Sequence, residues 1–146
     1  MKKVLMLHGI NHNLFGKRNP EQYGKITLEE INDELQNLAH ELNVELDFYQ
    51  TNHEGEFCER VHKALLENID GVLINPGAWT HYNYGIRDAL EMLEVPIIEI
   101  HMSNIFKRES FRRKSVLDDL IQGKITGFGL DSYLLGLRAM VSLINK

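Results

Sequence analysis

Residues 71–81 read GVLINPGAWTH, and within this stretch a hydrophobic run gives way abruptly to a polar corner. The apolar part has the length and composition of a buried strand. Pro76 fixes its own φ and favours an extended backbone at Asn75, while Gly77 lets the chain turn without a Cβ clash. We therefore predict a buried strand that ends here and holds Asn75 and His81 at a site.

Short apolar runs of the same kind recur along the chain and alternate with longer amphipathic stretches. They occupy residues 4–7, 44–49, 71–74, 95–100 and 125–128. Alternation of this type is typical of a parallel sheet covered by helices on both faces. The pattern predicts one flavodoxin-like, doubly wound α/β domain with a five-stranded parallel sheet over residues 1–146.

The helices between these runs are indicated by spacing and by a start signal. Leu28, Ile31 and Leu35 recur at helical intervals, and Thr27 with Glu30 forms a capping box in front of them. Further helices are expected at about residues 55–67, 83–93 and 131–144.

Composition restricts the class of protein. The net charge of -5 provides no basic excess to neutralise phosphates, so nucleic acid is not expected as a partner. No stretch approaches the roughly 18 apolar residues of a membrane span, and the start of the chain lacks a secretion signal. Cys58 is the single cysteine and has no partner for an internal disulfide. We expect a cytoplasmic protein.

Polar side chains follow the predicted strands, and ligands of such folds bind beyond the carboxyl ends of the strands. Five of the seven histidines fall at this edge: His8, His12, His53, His81 and His101. Residues 16–25, between the first strand and the first helix, are predicted to form a mobile lid that carries Arg18 and Tyr23 over the edge.

Several kinds of chemistry lack their usual signals. His8 and His12, or His53 and Glu54, are conceivable metal ligands, but no H-E-x-x-H or C-x-x-C spacing is present, so neither metal nor cofactor is expected. Glycine-rich phosphate loops and a G-x-S-x-G nucleophile elbow are also absent from the sequence. Ser103 is better explained as the start of a helix than as a nucleophile.

A proton-transfer set remains, consisting of Arg18, Tyr23, Asn75, His81, Asp88 and His101. This set suits abstraction of a proton next to a carbonyl. Tyrosine has an ordinary pKa of about 10, and a guanidinium beside it favours the phenolate. Glu99 lies two positions before His101 on a strand, where both side chains point to one face, so its carboxylate can orient the imidazole as a general acid.

Six blocks of the sequence together resemble the type II 3-dehydroquinate dehydratases of the shikimate and quinate pathways. They are RNPEQYG at 18–24, NHEGE at 52–56, INPGAWTH at 74–81, IRDAL at 86–90, EIHMSNI at 99–105 and RESFR at 108–112. The likeness covers nearly the whole chain and keeps the blocks in order.

The resemblance implies an anti elimination of water from 3-dehydroquinate to 3-dehydroshikimate through an enolate, without Schiff base, metal or cofactor. By this resemblance Tyr23 removes the C2 proton with support from Arg18, Asn75 positions a water at the enolate oxygen, and His101 protonates the leaving hydroxyl. Further substrate contacts are implied at the following positions: Asn13, Asn75, His81, Asp88, Met102, Ser103 and Arg112. The family also implies a trimer-based dodecamer in which a neighbour's Asp88 reaches the site.

The chain departs from the family chiefly after its first strand, where the usual N-G-P-N-L-N is replaced by HGINHN at residues 8–13. His8, Ile10 and His12 therefore bear on the pH optimum or on the substrate. Two alternatives stay open: a related lyase acting on another cyclic hydroxy-keto acid, and a non-catalytic homologue that only binds ligand.

Overall fold

A computed structural model describes residues 1–146 and contains one parallel five-stranded sheet. The strands are β1 (Lys3–His8), β2 (Glu45–Gln50), β3 (Gly71–Asn75), β4 (Ile97–His101) and β5 (Gly123–Thr126). Their order across the sheet is β2-β1-β3-β4-β5, which confirms the predicted flavodoxin-like, doubly wound domain. No helix is both long and apolar enough to cross a membrane.

Five α-helices and four short 3₁₀ segments connect the strands. The α-helices are α1 (Pro20–Tyr23), α2 (Leu28–Glu41), α3 (Glu54–Leu66), α4 (Tyr84–Glu91) and α5 (Leu130–Ile144). The 3₁₀ segments are His12–Leu14, Gly77–His81, Ile105–Lys107 and Ser110–Arg113. The predicted capping box is present, because Thr27 and Glu30 bond to each other's backbone N–H groups at the start of α2.

The two faces of the sheet bury alternate side chains of the same strands. Val4 and Met6 of β1 pack with α2 and α5 on one face, whereas Leu5 and Leu7 pack with α3 and α4 on the other. Because both faces are covered, the strands appear in the sequence as continuous apolar runs rather than as alternating ones. The same layers leave only the strand ends free to present polar side chains.

All five strands differ from their predicted runs by one or two residues at an end, and the last two differ most. The prediction of strand 125–128 was wrong in its bounds, since β5 ends at Thr126 and Gly127 has a φ of 100° that breaks the extended backbone before α5. Phe128 is exposed beyond this turn. Strand β4 begins after Pro96, because proline has no N–H to donate to a neighbouring strand. The Pro96 carbonyl still accepts a hydrogen bond from the Val72 N–H.

Candidate active site

A cavity of about 160 Å³ lies beyond the carboxyl ends of β1, β3 and β4. This is the edge at which the sequence placed the ligand. Its walls are formed by Ile10, Asn11, His12, Arg18, Tyr23, Asn75, Gly77, Ala78, His81, His101, Met102, Ser103, Ile105, Arg108 and Arg112. Eight of these residues were named as site residues from the sequence.

Tyr23 presents its phenolic oxygen to two arginines inside this cavity. Arg18 donates from Nη2 over 3.0 Å, and Arg108 donates from Nη1 over 2.8 Å. The Arg18 guanidinium also lies over the tyrosine ring, with Cζ 4.1 Å from the ring centroid. Since each guanidinium is permanently charged, negative charge on this oxygen is stabilised from two sides.

The partner of His101 is Glu99, as the sequence predicted. The Glu99 carboxylate is fully buried, and it bonds to His101 Nε2 and accepts a 2.8 Å hydrogen bond from the Thr80 hydroxyl. Burial alone would raise the pKa of the Glu99 carboxyl. The bond from His101 and the charges of His101 and Lys124 outweigh burial, so this pKa lies below its ordinary value. His101 Nδ1 is thereby the ring atom left for a ligand.

Asn75 ends β3 and is held at both ends of its amide. Its Oδ1 accepts from the Gly77 N–H over 3.2 Å, and its Nδ2 donates to the Tyr133 hydroxyl over 2.8 Å. Tyr133 belongs to α5 and is completely buried. The polar corner of residues 74–77 therefore fixes the side chain that the sequence singled out, with one amide N–H still free for a ligand.

His81 has a defined tautomer. Its Nδ1 lies 2.7 Å from the carbonyl oxygen of Lys114, which can only accept, so Nδ1 carries the proton and Nε2 is the free acceptor. Burial lowers the pKa of the His81 imidazole, and the nearby His101 and Arg112 charges lower it further, against the bond to Lys114. His81 is thus suited to accept a hydrogen bond from a ligand hydroxyl.

Arg112, Met102 and Ser103 also line the cavity. Arg112 is tethered by Glu109, which accepts hydrogen bonds of 3.2 and 3.3 Å from its guanidinium. The Ser103 hydroxyl accepts a 3.1 Å bond from Arg108, the arginine that also binds Tyr23.

Two residues predicted to contact substrate lie outside the cavity of this chain. Asn13 is exposed, and its Oδ1 accepts a 3.1 Å hydrogen bond from Asn52, whereas the adjacent Asn11 is part of the wall. Asp88 is exposed on α4 and does not line the cavity. Contact of either residue with substrate stays a prediction.

The unusual loop after β1 divides between the cavity and the core. Ile10 and His12 form part of the wall, whereas His8 is buried beneath it, with Nε2 2.7 Å from Asn32 Oδ1. Burial lowers the pKa of His8 to about 4, and the bond to Asn32 only partly opposes this. The His8 Nδ1 atom has no hydrogen-bond partner.

Sequence reasoning missed two residues that hold the reacting groups, Arg108 and Tyr133. Arg108 opens the block at 108–112 that already carried the family resemblance, so the signal was present but was not assigned a role. Tyr133 lies in the apolar stretch for which a helix was predicted, and no role was assigned to it. Nothing in its spacing indicates that the hydroxyl binds Asn75.

No three His, Cys, Asp or Glu side chains come together in an arrangement that would hold a metal ion. The prediction that no metal takes part is left to experiment.

Known proteins resemble this chain over nearly its full length. Residues 2–141 match the model of the family described as Dehydroquinase class II. The 3-dehydroquinate dehydratase of Leptothrix cholodnii is 58% identical over 142 residues, covering 97% of this chain and 95% of that protein. The enzyme of the same name from Syntrophotalea carbinolica is 58% identical over 145 residues, covering 99% and 98%. The crystal structure of type II dehydroquinase from Butyrivibrio crossotus superposes with a TM-score of 0.93 at 36% identity, covering 99% and 98%.

Proposed function

The chain belongs to the class II dehydroquinase family, and from that premise we propose how it acts as a 3-dehydroquinate dehydratase, the hydro-lyase that forms 3-dehydroshikimate. One observation carries the proposed mechanism. The Tyr23 oxygen, bonded by Arg18 and Arg108, shares one cavity with His101, which is backed by a buried carboxylate. A base and an acid are thus available around one ligand.

The first step is removal of a proton from the carbon next to the substrate carbonyl. The anionic Tyr23 oxygen takes this proton, and the electron pair of the broken C–H bond moves to the carbonyl oxygen to give an enolate. Arg18 and Arg108 stabilise the anionic base before the transfer. Asn75 supplies its free N–H on the side of the enolate oxygen, through a water or directly.

The second step expels the hydroxyl group. The enolate oxygen re-forms the carbonyl, and the electron pair of the enolate C=C bond moves to the neighbouring C–C bond to make the new double bond as the C–O bond breaks. His101 gives its proton to the departing oxygen, so that water leaves. Glu99 holds the imidazole and balances its positive charge beforehand. Transfer of the proton on Tyr23 to His101 through solvent restores the starting state.

Substrate positioning is assigned to the other residues of the cavity. Arg112 provides a guanidinium fork for the substrate carboxylate, near the backbone of Met102 and Ser103, and His81 accepts from a ring hydroxyl. The proposal also includes closure of the lid at residues 16–25, a segment in which no residue is fully buried.

A homo-oligomer, a trimer-based dodecamer, is part of the proposal, with Asp88 completing the site of a neighbouring subunit. The position of Asp88 on the surface, away from its own cavity, supports this assignment. A cytoplasmic location is proposed as well, supported by the free thiol of Cys58.

Tyr23→Phe tests the assignment of the base. We expect turnover of 3-dehydroquinate to collapse while calorimetry still detects ligand binding, because phenylalanine keeps the ring and loses only the oxygen. Tyr49→Phe is the matched control, since Tyr49 lies on β2 outside the cavity. Turnover by Tyr23→Phe at the wild-type rate would exclude the phenol as the base.

A further inference from the structure

His12 occupies a position in the cavity wall that the mechanism above leaves unused. Its side chain is only 2% exposed, and its ring stacks on Phe15 with centroids 4.6 Å apart and an angle of 16° between the planes. The ring therefore has one orientation, set by packing on one side and by the loop after β1 on the other.

Hydrogen bonding fixes the tautomer of this ring. The Gly9 N–H donates to the Asn75 carbonyl oxygen over 2.8 Å and also points at His12 Nδ1 over 3.1 Å. Because Nδ1 faces a donor, it bears no hydrogen, and the proton of the neutral ring is on Nε2. Burial lowers the pKa of His12 well below its ordinary value, and the positive charges of His8, Arg18 and His101 add to this effect. The neutral form with Nε2–H is thus the form present near neutral pH.

The Nε2–H group has no acceptor within the chain. Only one fully buried side-chain nitrogen or oxygen in the protein has no hydrogen-bond partner, and this atom is His8 Nδ1. His12 Nε2 also has no partner, so it is not fully buried, and it faces the cavity that His12 lines. A donor that faces the cavity loses free energy unless a ligand or a water accepts from it. The wall is thereby built to receive an oxygen atom.

The neighbours of Nε2 identify which oxygen this is. Nε2 lies 3.1 Å from the point that a Cβ on Gly77 would occupy, and Gly77 in turn donates its N–H to Asn75. The absence of a side chain at Gly77 leaves this space to the imidazole. His12 and Asn75 therefore meet at the same part of the wall, where the mechanism places the enolate oxygen.

We propose that His12 is a catalytic hydrogen-bond donor whose Nε2–H binds the substrate carbonyl oxygen as that oxygen becomes the enolate. This inference rests on the proposed function and adds a residue to it. The proton stays on Nε2 throughout, and no bond to it is broken. A neutral imidazole can act in this way because it polarises a carbonyl without a competing proton transfer. A donor fixed before reaction also needs no reorganisation as charge develops.

Three substitutions at His12 separate this role from support of the loop. His12→Leu removes both ring nitrogens and keeps an apolar group against Phe15. His12→Asn retains an acceptor near Nδ1 for the Gly9 N–H but has no donor that reaches the Nε2 position. His12→Gln places an amide N–H near the Nε2 position. Initial rates with 3-dehydroquinate give kcat and KM, and thermal unfolding shows whether each variant is folded.

We expect His12→Leu and His12→Asn to lower kcat on the order of 10²-fold with little change in KM, and His12→Gln to recover most of this loss. If His12→Asn keeps wild-type kcat, or if all three variants lose kcat equally while folded, the assignment is overturned. The wild-type protein separates the two proposals. Its failure to turn over 3-dehydroquinate would contradict the proposed function, whereas normal wild-type turnover with unaffected variants would contradict only the role of His12.

Discussion

The Nη1 atom of Arg108 lies 2.8 Å from the phenolic oxygen of Tyr23, although 85 positions separate the two residues in the sequence. Arg108 follows β4, whereas Tyr23 ends the short helix α1 within the lid segment. The contact therefore connects the lid to the body of the site. It also supplies a second positive charge to the oxygen that acts as the base in the proposed mechanism.

Arg108→Ala is expected to lower kcat/KM about 10- to 100-fold, because a hydrogen bond to a charged group contributes about 1.5–3 kcal/mol. Rates measured at several substrate concentrations test this. Arg113→Ala is the matched control, since Arg113 is exposed and lies outside the cavity. Equal rates for both variants and the wild type would show that Arg18 alone supports Tyr23.

Tyr133→Phe removes the hydroxyl that accepts from Asn75 and leaves the buried Nδ2 group without this partner. The expected cost is about 1–3 kcal/mol in the free energy of unfolding, as for a buried donor that loses its acceptor. We also expect a lower kcat with KM nearly unchanged, because the Asn75 amide is no longer held in place. Denaturant titration and steady-state kinetics measure the two effects.

Loss of stability without any change in kcat would limit Tyr133 to packing. Tyr84→Phe is a suitable control for removal of a hydroxyl, because Tyr84 is exposed on α4 and contributes nothing to the cavity wall.

His8 gives the protein a dependence of stability on pH. Its folded pKa of about 4 lies below the ordinary 6.5, so the unfolded chain binds the proton first as pH falls. The contribution of His8 to the free energy of unfolding is complete above pH 6.5. It is lost progressively as the pH falls toward 4, by up to ~1.4 kcal/mol per pH unit. His12 adds a change of the same sign.

His8→Gln should flatten this dependence, because glutamine does not titrate and still offers an amide to Asn32. Urea unfolding at fixed protein concentration, repeated between pH 6.5 and pH 4, measures the slope. His40→Gln, at an exposed position of α2, should leave the slope as in the wild type. A slope that His8→Gln does not reduce would assign the acid sensitivity to other groups.

The local sequence pattern was sufficient to predict the sheet and its helices. A sheet buried on both faces requires apolar runs, and the capping box marks the start of α2. It also paired Glu99 with His101, since residues two apart on a strand share a face. The bounds of β5 were not predictable in this way. The turn at Gly127 is positioned by contacts with the end of β4 and the residues after it, where the Gly127 N–H donates to the His101 carbonyl oxygen, and no run of apolar residues reveals such contacts.

Contacts between distant parts of the chain were the other limit. The bonds from Arg108 to Tyr23 and from Asn75 to Tyr133 join segments whose spacing carries no periodic signal. The direction of a side chain in a loop is likewise set by tertiary contacts. For this reason the sequence left open which of His8 and His12 faces the ligand, and the structure places only His12 in the cavity wall.

Metal-free dehydration of 3-dehydroquinate is tested most directly by the ultraviolet absorbance of the conjugated enone product. Purified protein, treated with a chelator, is mixed with 3-dehydroquinate. The reaction is repeated with protein that was first incubated with 3-dehydroquinate and borohydride and then freed of both. We predict a rise in absorbance at the same rate in both cases, because Tyr23 and His101 need neither a metal nor an imine. No rise from folded protein, or a rise that chelator or borohydride abolishes, would contradict this account.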